Sequence, residues 1–250
     1  AAATQMAIAY QLKKAFSGGT SVWEGMQDSS ISIGNRTGSY DYRGIRQSAQ
    51  RSGLPYGYDG KTMLGFQDSI LSSLGTRTPD EIMGMSDSLA AFTKTSGVSQ
   101  DTSSSLMQSI YRSGGASTAM DSKYIQDAII GGIKASGMQG REEEQIKALN
   151  GILEAQYSGR SATNEEINST LAMASMFSKE GGEAFQGANL QNFMASMSQA
   201  IKGSSMYSTQ GLLLGSTTDP RYQGENGAYN FAVQREKGFN AENARSIFDK

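Results

Sequence analysis

Between residues 75 and 203, glycine returns at a nearly constant interval: Gly75, Gly97, Gly114, Gly137, Gly159, Gly181 and Gly203, with gaps of 22, 17, 23, 22, 22 and 22 residues. Each interval holds apolar residues spaced for one face of a helix. Glycine ends helices because it enters the left-handed region without a Cβ penalty. A chain with this rhythm folds into short helices joined by tight turns. Proline occurs 3 times in 250 residues and glycine 30 times, so helices run uninterrupted to their glycine stops. The apolar set leans on Ala, Met, Ile and Leu, which suits helix better than sheet. The expected fold is mainly α, an array of roughly ten short helices packed as antiparallel hairpins, a bundle or a solenoid-like stack.

Three regions are expected: 1–60, 61–203 and 204–250. In the first, residues 4–16 read as a helix capped by Thr4. Residues 17–60 read as the least regular stretch, rich in Gly, Ser and Tyr, with one short helix near Tyr42 to Arg51. It holds Trp23, Tyr40, Tyr42, Tyr56 and Tyr58, either a contact surface or aromatics that pack a loop onto its own domain. In the third region, Gln210 to Gly215, Tyr229 to Glu236 and Ala241 to Phe248 read as short helices.

The array carries strong start signals. Thr78-Pro79-Asp80-Glu81 joins a cap, a first-turn proline and a capping-box glutamate. Thr163-Asn164-Glu165-Glu166 is a second box, Ser99 can cap the helix after Gly97, and Asp121 opens the one after Gly115. That last helix carries Tyr124, Ile125, Ala128, Ile129 and Ile133. Ile146, Leu149, Leu153 and Tyr157 precede Gly159 by 13, 10, 6 and 2 residues, and Leu190, Phe193, Met197 and Ile201 precede Gly203 by the same distances. The 44-residue offset suggests a two-helix unit in which alternate helices are equivalent. A non-repetitive bundle gives a similar glycine rhythm.

With no His and no Cys, disulfides, thiol nucleophiles, cysteine–histidine zinc sites and histidine acid–base chemistry are excluded within this chain. A net charge of −2 makes no global case for nucleic acid or an anionic membrane. No run approaches the roughly 20 apolar residues of a membrane span. Glu142-Glu143-Glu144 complements the positive end of a helix dipole, and adjacent helical residues diverge by about 100°, so they do not converge on one ion. Gln210-Gly211-Leu212-Leu213-Leu214 faintly matches the second element of a lytic transglycosylase, but no Glu-Ser pair precedes it. No cofactor, metal or catalytic residue is expected.

Three stretches resemble the helical core of phage tail tape measure proteins. They are Thr78-Pro79-Asp80-Glu81-Ile82 running to Thr95-Ser96-Gly97, the segment from Gly132 to Arg141, and Glu180-Gly181-Gly182-Glu183-Ala184-Phe185-Gln186-Gly187-Ala188 with the helix after it. Short helices ending in Ser-Gly or Ala-Gly, each followed by a capped restart, are similar to that family over about residues 60–203. The resemblance implies a non-enzymatic structural component of a tail, acting in tail assembly, tail length and genome ejection. It implies a virion location after synthesis in the host cytoplasm. Its partners would be other tail proteins or further copies of itself, with no specific nucleic acid. Such proteins are much longer than this chain, which would be one part of one. The alternatives are a helical-repeat protein-binding scaffold and, further off, a tail-associated lytic transglycosylase.

Overall fold

Thr78 begins a helix and Gly97 ends it, and the same start and stop recur along the chain. Thr78 Oγ1 accepts from the Glu81 N–H at 3.4 Å, and the Glu81 carboxylate accepts from the Thr78 N–H at 3.0 Å. Gly97 turns the backbone away with a φ of +72°. The computed structural model describes residues 21–157, 160–203 and 227–240. Its helices are α1 (residues 21–37), α2 (Tyr42–Gly53), α3 (Gly60–Leu74), α4 (Pro79–Ser96) and α5 (Gln100–Arg112). They continue with α6 (Ala119–Ala135), α7 (Glu142–Tyr157), α8 (Asn164–Glu180), α9 (Gly187–Lys202) and α10 (Gly227–Lys237). Short 3-10 turns lie at Leu54–Tyr56 and Gly182–Phe185. The described residues contain no strand, and none of their helices is long and apolar enough to cross a membrane. The helices expected at 4–16, Gln210 to Gly215 and Ala241 to Phe248, and the stop at Gly159, lie outside the described residues.

Most start and stop signals act as the residues dictate. The Thr163–Glu166 capping box forms, and Ser99 caps α5. Helix α6 begins at Ala119, two residues earlier than Asp121. Its cap is Thr118, and Asp121 is the reciprocal partner whose carboxylate accepts from the Thr118 N–H at 3.2 Å. Gly75, Gly97, Gly114 and Gly137 take φ values of 72° to 83°. Gly181 and Gly203 end their helices in right-handed conformation instead, at φ −90° and −81°.

The chain divides into two compact units, Ala1–Lys94 and Thr95–Lys250, and the division falls within α4 rather than after residue 60. In the first unit the reading of 17–60 as irregular is corrected by α1, which spans 21–37. Its inward positions are Met26, Ser30, Ile33, Gly34 and Thr37, a helical spacing carried mostly by small and polar side chains. No apolar stripe marks it in sequence. The buried Ser30 hydroxyl is satisfied by the Gln27 carbonyl at 2.8 Å, and Thr37 donates to Ile33 O at 2.9 Å. Asp68 of α3 receives Ser32 and Arg36 of α1, both at 3.3 Å. Near the starts of the two helices, Gly25 faces Lys61, so α1 and α3 run in the same direction. Met63, Leu64, Phe66, Ile70, Ile82, Met85 and Leu89 are the buried apolar residues that α3 and α4 supply to this unit, each at most 1% exposed.

The second unit is built on alternate helices. Helix α5 lies beside α7, α7 beside α9, and α6 beside α8. Side-chain ties across the first two pairs join residues 41 to 45 apart: Ser99 to Glu143, Ser109 to Asn150 and Glu154, Arg141 to Gln186. Start meets start and end meets end, so α5, α7 and α9 are parallel. Between α7 and α8 the order reverses. Gln145 at the start of α7 donates to Ser178 near the end of α8 at 3.2 Å, while Tyr157 at the end of α7 pairs with Thr170 near the start of α8 at 2.8 Å. The α7–α8 pair is therefore an antiparallel hairpin, stacked in parallel on its neighbours. The 44-residue spacing read from the glycines matches the register of these ties.

The equivalence is not complete. In α9 the buried residues are Leu190, Met194, Ser198 and Ile201, while Phe193 and Met197 are half-buried. One residue is a turn of about 100°, and α9 is turned this way because it also packs against α10 and the segment after it. Tyr124 points outward, 62% exposed, with Ile125 and Ile129 taking the inward positions on α6.

Candidate functional site

The five aromatics expected as a contact surface lie in the first unit, in three separate settings. Trp23 sits near the start of α1, 55% exposed, with the Arg46 guanidinium 5.0 Å over its ring. Tyr40 is 76% exposed and meets Tyr42 edge-on at 6.4 Å, beyond the other end of α1. The Tyr42 hydroxyl donates to Asn35 at 3.3 Å. Trp23 and Asn35 are 12 positions apart on one helix, about 18 Å at 1.5 Å per residue. Tyr58 packs edge-on against Phe66 at 5.7 Å, and burial pushes its hydroxyl pKa up. Tyr56 is half-buried on the 3-10 turn before it. Trp23 and the Tyr40–Tyr42 pair therefore mark two ends of a helix.

In the second unit, a polar groove of about 600 Å³ opens where α5 and α7 end. It is lined by Ser109, Arg112, Ser113, Leu153, Glu154, Tyr157, Arg160 and Ser161. Each helix C-terminus carries the negative end of its dipole, which suits the two arginines. Arg160 is committed twice, to Glu166 at 3.3 Å and to the face of Tyr157 at 4.6 Å. Burial pushes the Tyr157 hydroxyl pKa up, so it stays protonated at neutral pH and donates to Glu166 O at 3.0 Å. The single Ser109 proton faces three acceptors: Ser105 O at 3.1 Å, Asn150 Oδ1 at 2.7 Å and Glu154 Oε1 at 3.0 Å. These groups tie helix ends to each other.

The acidic run at the start of α7 behaves the same way. Glu142 accepts from Gly140 N–H at 2.8 Å, and this bond holds its carboxyl below the usual range. Glu144 pairs with Arg141 at 2.8 Å. Glu143 reaches α5 and accepts from Ser99 N–H at 2.9 Å, from the Ser99 hydroxyl at 3.0 Å and from Thr102 Oγ1. Desolvation opposes the Glu143 charge, but the bonds from Thr102, Ser99 and Lys147 outweigh it and hold the carboxyl at about 2. Three adjacent carboxylates thus have three different partners. Among the described residues no three carboxylates converge on a point that could hold a metal ion.

Sequence reasoning missed the buried polar side chains between the layers of the second unit. Gln145, Gln156, Thr170, Ser178 and Ser198 are all buried. They sit among apolar residues in sequence and carry no pattern of their own. Ser198 and Gln156 together hold the backbone of Phe239. Its N–H donates to Ser198 Oγ at 3.4 Å, and its carbonyl accepts from Gln156 Nε2 at 2.7 Å. Gln210 to Leu214, the segment with the faint transglycosylase likeness, lies outside the described residues. No protein-family model, curated protein or solved structure matches the chain.

Proposed function

We propose that the chain is a structural component of a phage or phage-like tail, of the tape-measure type and without enzymatic activity. The observation that carries the structural role is the ladder of side-chain ties between equivalent helices, Ser99 and Thr102 to Glu143 and Arg141 to Gln186. Such ties fix the position of each hairpin against the next, which is what a spacing or scaffolding element needs. The tail assignment rests on the tape-measure resemblance of residues 60–203. In this reading the chain is one folded part of a longer protein, and its partners are tail proteins or further copies. Proteomic analysis of purified particles from the source of this sequence tests it. Peptides of this chain in the tail fraction, and a reading frame continuing into long heptad repeats, are expected. Absence of the chain from every particle fraction overturns it.

A second reading, a helical-repeat scaffold that holds a partner protein, draws support from the parallel stacking of α5, α7 and α9, since stacked repeats present an extended face. A reading frame that closes with a polar capping repeat near residue 250 separates it from the first. A peptidoglycan-release assay tests the non-enzymatic part. Release of soluble fragments that is lost on replacing one carboxylate overturns that part.

A further inference from the structure

Gln67 of α3 carries a buried amide that no protein group satisfies. The residue is 4% exposed, and among the described residues its side chain has no hydrogen-bond partner. Burying an amide without a partner is costly, so native folds rarely leave one that way unless water or a ligand reaches it. The amide atoms are not sealed from solvent, and Gln67 lines a cavity of about 250 Å³ within the first unit.

The groups around this cavity differ with depth. Asp41, ahead of α2, and Asp80, in the first turn of α4, line it and are exposed, so they mark its opening. Asp41 uses one oxygen as the cap of α2, accepting from the Gly44 N–H at 2.9 Å. No lysine or arginine is among the lining residues, so the opening is negative with no cation beside it. Ile33, Ile45 and Ile82 supply apolar walls. The Thr37 hydroxyl on the same wall is already committed to Ile33 O at 2.9 Å. Gln67 is the buried polar group, with one acceptor and two donors to offer.

We propose that this cavity binds an amino alcohol, a short alkyl chain with an ammonium at one end and a hydroxyl at the other. The ammonium pairs with Asp41 and Asp80 at the opening. The chain lies against the isoleucines, and the hydroxyl meets the Gln67 amide. A second ammonium in place of the hydroxyl is disfavoured, because Gln67 is neutral and a buried charge needs a counter-charge. A carboxylate is repelled at the opening. The cavity is smaller than the roughly 300 Å³ at which pockets for drug-sized ligands begin, which keeps the ligand short. This site stands whether or not the chain is a tail component.

The test uses the full chain and aminopentanol as the probe, followed by ligand-observed NMR titration. Pentylamine, pentanol and hydroxypentanoate are the controls. Aminopentanol binds saturably. Pentylamine, which leaves Gln67 unpartnered, binds about tenfold more weakly, the scale of one buried hydrogen bond. Pentanol, without charge, binds more weakly than aminopentanol, and hydroxypentanoate does not bind. Gln67→Leu removes the preference for aminopentanol over pentylamine. Asp80→Asn weakens both amines and leaves their ratio unchanged. No binding of aminopentanol means that the cavity holds water alone, and overturns the proposal. Equal binding of aminopentanol and pentylamine, a preference that survives Gln67→Leu, or amine binding unmoved by Asp80→Asn also overturns it. If Gln67→Leu loses its helical circular dichroism, the wild-type series decides alone: preference for aminopentanol over all three controls supports the site, and its absence overturns it.

Discussion

Glu143 caps a helix that begins 43 residues before it. Its carboxylate accepts from the Ser99 N–H at 2.9 Å and from the Ser99 hydroxyl at 3.0 Å, so the start of α7 completes the start of α5. Capping is usually local, within four residues. Here the cap residue is local, but the carboxylate that supports it comes from the next hairpin.

This contact makes stability depend on acidity. The folded Glu143 carboxyl lies at about 2, below its ordinary 4.5. A depressed carboxyl stabilises the fold above its unfolded pKa and loses that contribution as pH falls toward the folded one. The contribution is therefore full above pH 4.5 and fades down to about pH 2. Glu143 is 39% exposed, so solvent screens the charge, and Glu143→Gln costs on the order of 1 kcal/mol at pH 7, the scale of a lost cap. Urea unfolding at pH 7 and at pH 3 measures it, and the gap between wild type and variant narrows at the lower pH.

Two glycines separate backbone conformation from packing. Gly97 has a φ of +72° and open space around it, so Gly97→Ala loses about 1–2 kcal/mol from conformation alone. Gly131 lies inside α6 and is also open, with no positive φ. Gly131→Ala therefore gains about 0.5–1 kcal/mol. Thermal melting of the two variants moves the midpoint in opposite directions.

Tyr157→Phe removes one hydroxyl that serves two partners on α8, Glu166 O at 3.0 Å and Thr170 Oγ1 at 2.8 Å. The loss is about 1–2 kcal/mol, above a single exposed bond, because Thr170 is buried and is left with a weaker partner in Gln156. Chemical denaturation shows a lower midpoint with an unchanged slope, since the same surface is buried.

Trp23 is the sole tryptophan, so fluorescence reports on one place. Arg46 stacks over its ring and also donates to Ser30 at 3.0 Å. Arg46→Ala changes the emission intensity and lowers stability by about 0.5–1 kcal/mol, the value of an exposed cation–π contact. Unchanged emission contradicts the stacking.

The local grammar of the helices is legible in the residues themselves. Thr78 with Glu81, and Thr163 with Glu166, begin helices because their bonds close within four residues. Gly75, Gly97, Gly114 and Gly137 end helices because the left-handed turn is a property of one residue. The 44-residue rhythm is two adjoining 22-residue intervals, from Gly137 to Gly181 and from Gly159 to Gly203. The tertiary structure decided what depends on distant partners. Helix α1 buries Ser30 and Gly34, small residues that carry no apolar stripe. Trp23 and Tyr42, near in sequence, are held apart by the length of that helix, so the aromatic cluster read from the sequence has no single place in the fold. Glu143 looked like a dipole residue and is also a tie between hairpins, because its partner Ser99 lies on another helix. Phe239 has no local signal as a core residue, and only the groove formed by Gln156, Phe177, Phe193 and Ser198 makes it one. Periodicity and capping are short-range and live in sequence; a shared face or a filled groove exists only once remote segments are brought together.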